Sequence, residues 1–226
     1  RGLMIFHDRA HAGVLLAKEL SAYRGDSNAL ILALPRGGVI VGYELSTALH
    51  LPMHIFLTRK LRTVNNQDCA IGALSETGAL YVNQDKLDAC HLSNEDVDEL
   101  VLGEEGELTR QKMLYRQGRP LPPLANRTVI LVDDGIATGA TLFAAIKSMA
   151  ALAPRRVIVA IPVAPSDIGA RIRPLVDRCV ILTTPEPFST VGALYTEFEP
   201  VTDSDVLRLL ETAHRERAKP ISLSWI

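Results

Sequence analysis

The sequence predicts an α/β protein: a parallel sheet with helices on both faces. Three observations predict it. Ala29–Leu34, Thr128–Val132 and Arg156–Ile161 are apolar throughout, the pattern of strands buried on both sides. Amphipathic stretches of helical period alternate with them. The first two runs stop on Pro35-Arg36-Gly37-Gly38 and Asp133-Asp134-Gly135, residues that end a strand and open a turn.

Taken in order, Asp8–Tyr23 reads as a helix capped by Asp8, with Val14, Leu15, Leu16 and Leu20 on one face. Ala29–Leu34 is a strand, Val39–Leu49 a helix and Met53–Thr58 a second strand. Arg59–Gly78 is polar and weakly periodic and reads mostly as loop; Ala79–Asn83 is a short strand. Ser93–Tyr115 is a long helix with Ser93 as cap and acids in its first turn, and Gly103 and Gly106 are candidate breaks. Pro120, Pro122 and Pro123 force an extended connector. Thr128–Val132, a helix from Thr141 to Leu152, Arg156–Ile161, a helix over Ser166–Leu175, the strand Cys179–Leu182 and a helix over Asp203–His214 complete the series.

The 226 residues amount to one domain with an elaboration, and 47% apolar with 22% charged residues excludes disordered, collagen-like and coiled-coil chains. With 24 basic against 26 acidic side chains there is no basic field for a nucleic-acid backbone, and 5% aromatics argues against a surface that stacks single strands. Cys69, Cys90 and Cys179 form no CxxC pair, so neither a zinc ribbon nor a disulfide framework is expected, and a reducing cytoplasm is. No apolar run approaches the roughly 18 residues of a membrane span, and Asp8 and Arg9 interrupt any leader core, so neither membrane association nor a signal peptide is expected.

Ligands of a parallel sheet bind beyond the carboxyl ends of its strands, which selects Pro35–Gly38, Arg59–Arg62 and Asp133–Thr141. The last segment is the most informative. VILVDDGIATGAT places two carboxylates at a buried strand end, then a glycine turn, then threonines opening a helix. A helix N-terminus offers unpaired N–H groups and a positive dipole end, so Gly135–Thr141 reads as a phosphate cradle. Asp133 and Asp134 would repel that phosphate unless hydroxyls intervene; a ribose diol fits, because ionised carboxylates only accept hydrogen bonds. A ribose 5-phosphate satisfies both halves. The alternative is an acidic strand end before an ordinary capped helix. No GxxxxGK[ST] and no GxGxxG occurs in the chain.

These residues resemble the signature of the type I phosphoribosyltransferases: a hydrophobic strand, two acids and a small, Thr- and Gly-rich turn. PRGGV together with VDDGIATGAT is similar to a poorly characterised bacterial branch of that family. The resemblance spans residues 1–226 as one Rossmann-like domain and implies a small hood built from about 79–124 and 183–200. It implies 5-phosphoribosyl 1-diphosphate (PRPP) as donor, with Mg²⁺. Asp133 and Asp134 would hold the ribose hydroxyls. Gly135, Ile136, Ala137, Thr138, Gly139, Ala140 and Thr141 would hold the 5-phosphate. Pro35, Arg36, Gly37 and Gly38 match the pyrophosphate loop, and Arg59 and Lys60 would add positive charge at the leaving group. Arg59–Gly78 falls where the family has a closing lid. Phe188 would stack on a base, and Glu197 would touch the metal, held otherwise by PRPP and water. Where 6-oxopurine enzymes carry an acid, this chain has Ala137, so a general base falls to Glu76, Glu186 or water.

The implied activity is transfer of phosphoribose from PRPP to a nitrogen nucleophile, a nucleobase-like acceptor, with release of pyrophosphate; a homodimer is a further expectation. The alternatives are a non-catalytic regulatory protein that binds PRPP or a nucleotide, and an enzyme acting on another sugar phosphate. His7 and His11 have helical metal-pair spacing but read better as an exposed helix start, and Pro52 denies His50 and His54 a common face.

Overall fold

The runs that are apolar on both faces become one five-stranded sheet, because only a strand covered from two sides has no use for polar residues. The computed structural model describes residues 4–63 and 66–218. The sheet consists of β1 (Ala29–Ala33), β2 (Met53–Ile55), and, after the chain has left and returned, β6 (Thr128–Val132), β7 (Arg156–Val163) and β8 (Arg178–Thr183). All pairings are parallel, in the order β2-β1-β6-β7-β8. Alternate residues feed two cores. Ala29, Ile31, Ala33, Ile130 and Val132 face the helices α1 (Arg9–Glu19), α2 (Gly38–Leu49) and α7 (Asp203–Ala218). Leu30, Leu32, Leu34, Val129 and Leu131 face α5 (Ala140–Leu152) and α6 (Ser166–Ile172). The predicted α/β class and parallel sheet hold. From β1 the chain adds β2 on one side, and from β6 it adds β7 and β8 on the other. The order therefore reverses between β1 and β6, and the loops that leave these two strands diverge around a crevice.

Asp8 caps α1 as predicted, its Oδ1 accepting from the His11 N–H at 2.7 Å. Val14, expected on the buried face, is 41% exposed. The stripe that packs is Ala12, Gly13, Leu16 and Ala17, since small residues let α1 lie close against α2.

Arg59–Gly78, expected mostly as loop, instead forms most of a second sheet. β3 (Thr58–Thr63), β4 (Asn66–Ser75) and β5 (Leu80–Val82) pair antiparallel in that order. The strand signal is weak because β3 buries one side chain fully, Leu61, among polar neighbours, and because β4 is rich in small residues. This sheet packs on α5 and on α4 (Asn94–Arg116), which follows the short α3 (Gln84–Ala89). Ser93 and Asp96 form a capping box at the start of α4. The helix runs through Gly103 and Gly106 without a break: both positions face open space, where glycine costs helix propensity but no packing. Among the described residues no helix is long and apolar enough to cross a membrane, and Cys179 is a half-buried thiol.

Candidate functional site

The crevice at the reversal of strand order opens into a polar pocket of about 260 Å³. Its walls come from the two strand ends and from two later additions. Pro35, Arg36 and Gly37 follow β1; Asp133 through Gly139, with Thr141, follow β6; Thr58 and Lys60 come from β3, and Val191 and Phe198 from the segment after β8. Thus the predicted sugar- and phosphate-binding residues other than Gly38, Arg59 and Ala140 line one cavity. Gly38 and Ala140 are the buried first residues of α2 and α5.

The β6–α5 loop is pinned at its middle: Ile136 is buried and its N–H donates to the Val163 carbonyl at 2.9 Å. Ala137 is then exposed, Thr138 is half-buried, and Gly139 turns the chain into α5 with φ +74°. A side chain at Gly139 would be strained and would meet Phe143 at 2.8 Å. Gly139 has no side chain to cap α5, and the Ala140 N–H donates to the Thr138 hydroxyl at 3.5 Å. The start of α5 borders the pocket through Thr138, Gly139 and Thr141, and the positive end of a helix dipole suits an anion.

Asp133 and Asp134 occupy the opposite wall. The Asp134 N–H donates to Asp133 Oδ1 at 2.9 Å. Burial, and then the neighbouring charge of Asp134, pushes the Asp133 carboxyl well above the usual carboxylate range. Asp134 has a partner that sequence reasoning missed. Arg9, in the first turn of α1, donates from Nε to Asp134 Oδ2 at 2.6 Å. The only sequence signal was a charged residue beside a helix cap, which is ordinarily solvated. Tyr195 donates its hydroxyl to the Asp134 carbonyl at 2.5 Å, and burial raises its phenol. The loop after β1 presses on the same carboxylate, since a Cβ built on Gly37 would stand 1.9 Å from Asp134 Oδ2. The Pro35–Arg36 peptide in that loop is cis.

The predicted cations separate. Lys60 and Arg36 both line the pocket, the Arg36 side chain 57% exposed with its Nη1 3.9 Å from Asp203 Oδ1. Arg59 turns away to donate to Glu104 Oε2 of α4 at 2.7 Å. Alternation along β3 accounts for this: neighbouring side chains point to opposite faces. Glu76, named as a possible base, is a buried structural group. It pairs with Arg116, accepts from the Leu57 N–H at 2.8 Å, and its carbonyl accepts from Lys112 Nζ at 2.9 Å. Glu186 is exposed and accepts from the Ser166 hydroxyl at 2.5 Å.

Phe188 does not line the pocket; it packs beside Val191, Leu194 and Phe198, and Phe198 forms the wall. Glu197 also lies outside the pocket. Its Oε1 is 3.7 Å from His7 Nε2, and the imidazole's Nδ1 is 3.2 Å from Asp8 Oδ2. One ligand atom from each of His7, Asp8 and Glu197 falls within 4.8 Å of the others, a surface set able to hold a metal ion apart from the pocket lining. Within the pocket, the hard oxygens of Asp133, Asp134, Thr138 and Thr141 suit Mg²⁺ in kind. The Arg9 bond occupies one of these oxygens, so Mg²⁺ there would depend largely on oxygens from a ligand and water.

Residues 7–193 match the family of the phosphoribosyl transferase domain. Proteins from two Mycobacterium tuberculosis strains, CDC 1551 / Oshkosh and H37Rv, provisionally named phosphoribosyl transferases, are 37% identical over 217 residues. The match takes in 96% of this chain and 49% of theirs, so the chain spans about half the length of the curated relatives it matches. Among solved structures, TT1426 from Thermus thermophilus superimposes with a TM-score of 0.75 at 37% identity, covering 92% of this chain and 98% of that one. The AQ2163 protein of Aquifex aeolicus shares the fold at a TM-score of 0.50 and 12% identity, over 81% of this chain and 78% of its own.

Proposed function

The chain belongs to the phosphoribosyl transferase family, and on that premise we propose that it transfers phosphoribose from PRPP to a nitrogen nucleophile, releasing pyrophosphate. One observation carries this reading: a single small pocket is lined by two carboxylates, by the start of a helix with its threonines, and by Lys60 and Arg36. A sugar phosphate needs these features in this arrangement. The first-turn amides of α5 with Thr138 and Thr141 take the 5-phosphate. Asp133 and Asp134 take the ribose hydroxyls. Arg36, Lys60 and the backbone of Gly37 take the diphosphate.

The chemistry asked of the protein is positioning. Displacement at the anomeric carbon passes through an oxocarbenium-like state, and the pocket holds the sugar by its diol and its phosphate while the leaving group is neutralised. Mg²⁺, when bound, supplies positive charge to the diphosphate oxygens. No covalent nucleophile is required of the chain. Glu76 is engaged in its buried ion pair and Glu186 stands outside the pocket lining, held by Ser166, so a proton from the acceptor goes to water. Val191 and the edge of Phe198 supply an apolar border for a base-like acceptor, the faces of the Phe198 ring being covered by Arg9 and Tyr195. The small antiparallel sheet with α3 and α4, and the segment 183–200, form the hood over the site. A cytoplasmic location fits the anionic substrate.

The decisive experiment incubates the protein with Mg²⁺, PRPP and a panel of nucleobases and reads pyrophosphate release. Release with one or more bases is expected. A thermal shift with Mg²⁺ and PRPP but no release with any acceptor would replace the enzyme with a PRPP-binding regulatory protein. No shift and no release would remove PRPP as the ligand.

A further inference from the structure

Arg9 is 8% exposed, and a buried guanidinium is costly unless it is paired and hydrogen-bonded. Arg9 is both. Nε donates to Asp134 Oδ2 at 2.6 Å, Nη1 donates to the Glu199 carbonyl at 2.8 Å, and its Cζ lies 3.7 Å from the centre of the Phe198 ring. Phe198 is itself stacked on Tyr195, with ring centres 5.0 Å apart, and Tyr195 donates to the Asp134 main chain. Asp134 is therefore held by its side chain from α1 and by its backbone from the segment after β8.

Two neighbouring carboxylates repel each other, and an unpaired Asp134 would turn away from Asp133 and from any sugar between them. We propose that Arg9 is a positioning residue that fixes the Asp134 carboxylate toward the sugar diol and ties it to the wall formed by residues 195–199. The inference rests on the sugar-binding reading of Asp134. A planar fork is needed for the task, because one cation must bond two acceptors while lying flat on a ring; a lysine keeps the charge and loses that geometry.

The test measures PRPP affinity by calorimetry in the presence of Mg²⁺ for the wild type, Arg9→Met, Arg9→Lys, Asp134→Asn and the double variant, with KM and kcat for the two Arg9 variants. Loss of a charge-assisted hydrogen bond predicts affinity for PRPP weaker by about 10- to 100-fold in Arg9→Met, carried in KM with kcat little changed. Arg9→Lys should fall between it and the wild type. The double variant should bind no more weakly than Asp134→Asn alone, because Arg9 acts through that carboxylate. Losses that add in the double variant, or an unchanged KM in Arg9→Met, overturn the inference. Should Arg9→Met fail to fold, Arg9→Lys decides: wild-type affinity overturns the proposal and weakened affinity supports it. If the wild type itself does not respond to PRPP, the functional reading falls, and a crystal structure of Arg9→Lys still decides the positioning role. A displaced Asp134 carboxylate supports it, and an unmoved one overturns it.

Discussion

Gly37 and Asp134 are in contact across the two halves of the crevice: a methyl group on Gly37 would lie 1.9 Å from Asp134 Oδ2 and 3.0 Å from Arg9 Nε. The glycine of the loop after β1 is thus dictated by the acid after β6 as much as by any ligand. Nothing there is the free end of a flexible chain, since Asp134 is gripped by Arg9 and Tyr195. Gly37→Ala should break the Arg9–Asp134 bond and abolish Mg²⁺–PRPP binding, with a stability loss of about 1–3 kcal/mol from overpacking. Denaturant unfolding and PRPP calorimetry check this; an alanine variant with wild-type affinity would contradict the contact.

Asp133 gives a pH dependence with a definite sign. The folded protein holds its proton to higher pH than the unfolded chain does. The folded state then binds more protons over that interval, so this group's contribution to stability falls as pH rises through it. Asp133→Asn removes the ionisation and should raise stability at pH 7–8 by about 0.5–2 kcal/mol while abolishing turnover. The gain should shrink as pH falls toward 4. Unfolding curves across that range decide; a loss of stability at pH 8 would count against the assignment.

Lys60 and Arg59 should part company in assays. Lys60→Met should weaken pyrophosphate and PRPP binding about tenfold, as loss of a charged contact does, and leave the melting temperature nearly unchanged. Arg59→Met frees Glu104 and should lower the melting temperature by a few degrees with affinity preserved. Inhibition by pyrophosphate and a thermal melt on each variant suffice.

Glu76→Gln leaves Arg116 buried without its counter-charge, at a cost of about 3–5 kcal/mol. The pH–rate profile of the surviving folded protein should keep its shape, because Glu76 takes no proton in the reaction. A profile that loses its acidic limb would restore it as a base.

Much of this was legible in the sequence. Strands apolar on both faces and the acid–glycine–threonine turn have local signatures, so β1, β6, β7 and the turn that lines the pocket could be read directly, as could the caps Asp8 and Ser93. Three things were not. β3 buries one large side chain, Leu61, amid polar ones, and β4 is rich in small residues, so the pair reads as loop. Arg9 meets Asp134 across 125 positions of chain, and no periodicity encodes a contact made by the sheet order. Phe188 is the aromatic that the resemblance selects, and only the packing of the segment after β8 leaves it off the pocket and puts Phe198 at the wall.

Leu61 sets a limit on how the pocket can be covered. It is fully buried one position beyond Lys60, and the paired rungs from Thr58 to Leu61 lock the root of the hairpin against β4. Lys60 is consequently mounted on a fixed shelf: its ammonium can sweep only as far as four methylenes allow, unless Leu61 is first pulled from its socket. Amide exchange at Thr58–Leu61 should already be slow before any ligand arrives, and the shielding of a reacting sugar from solvent must be achieved around this anchored root and not by swinging it.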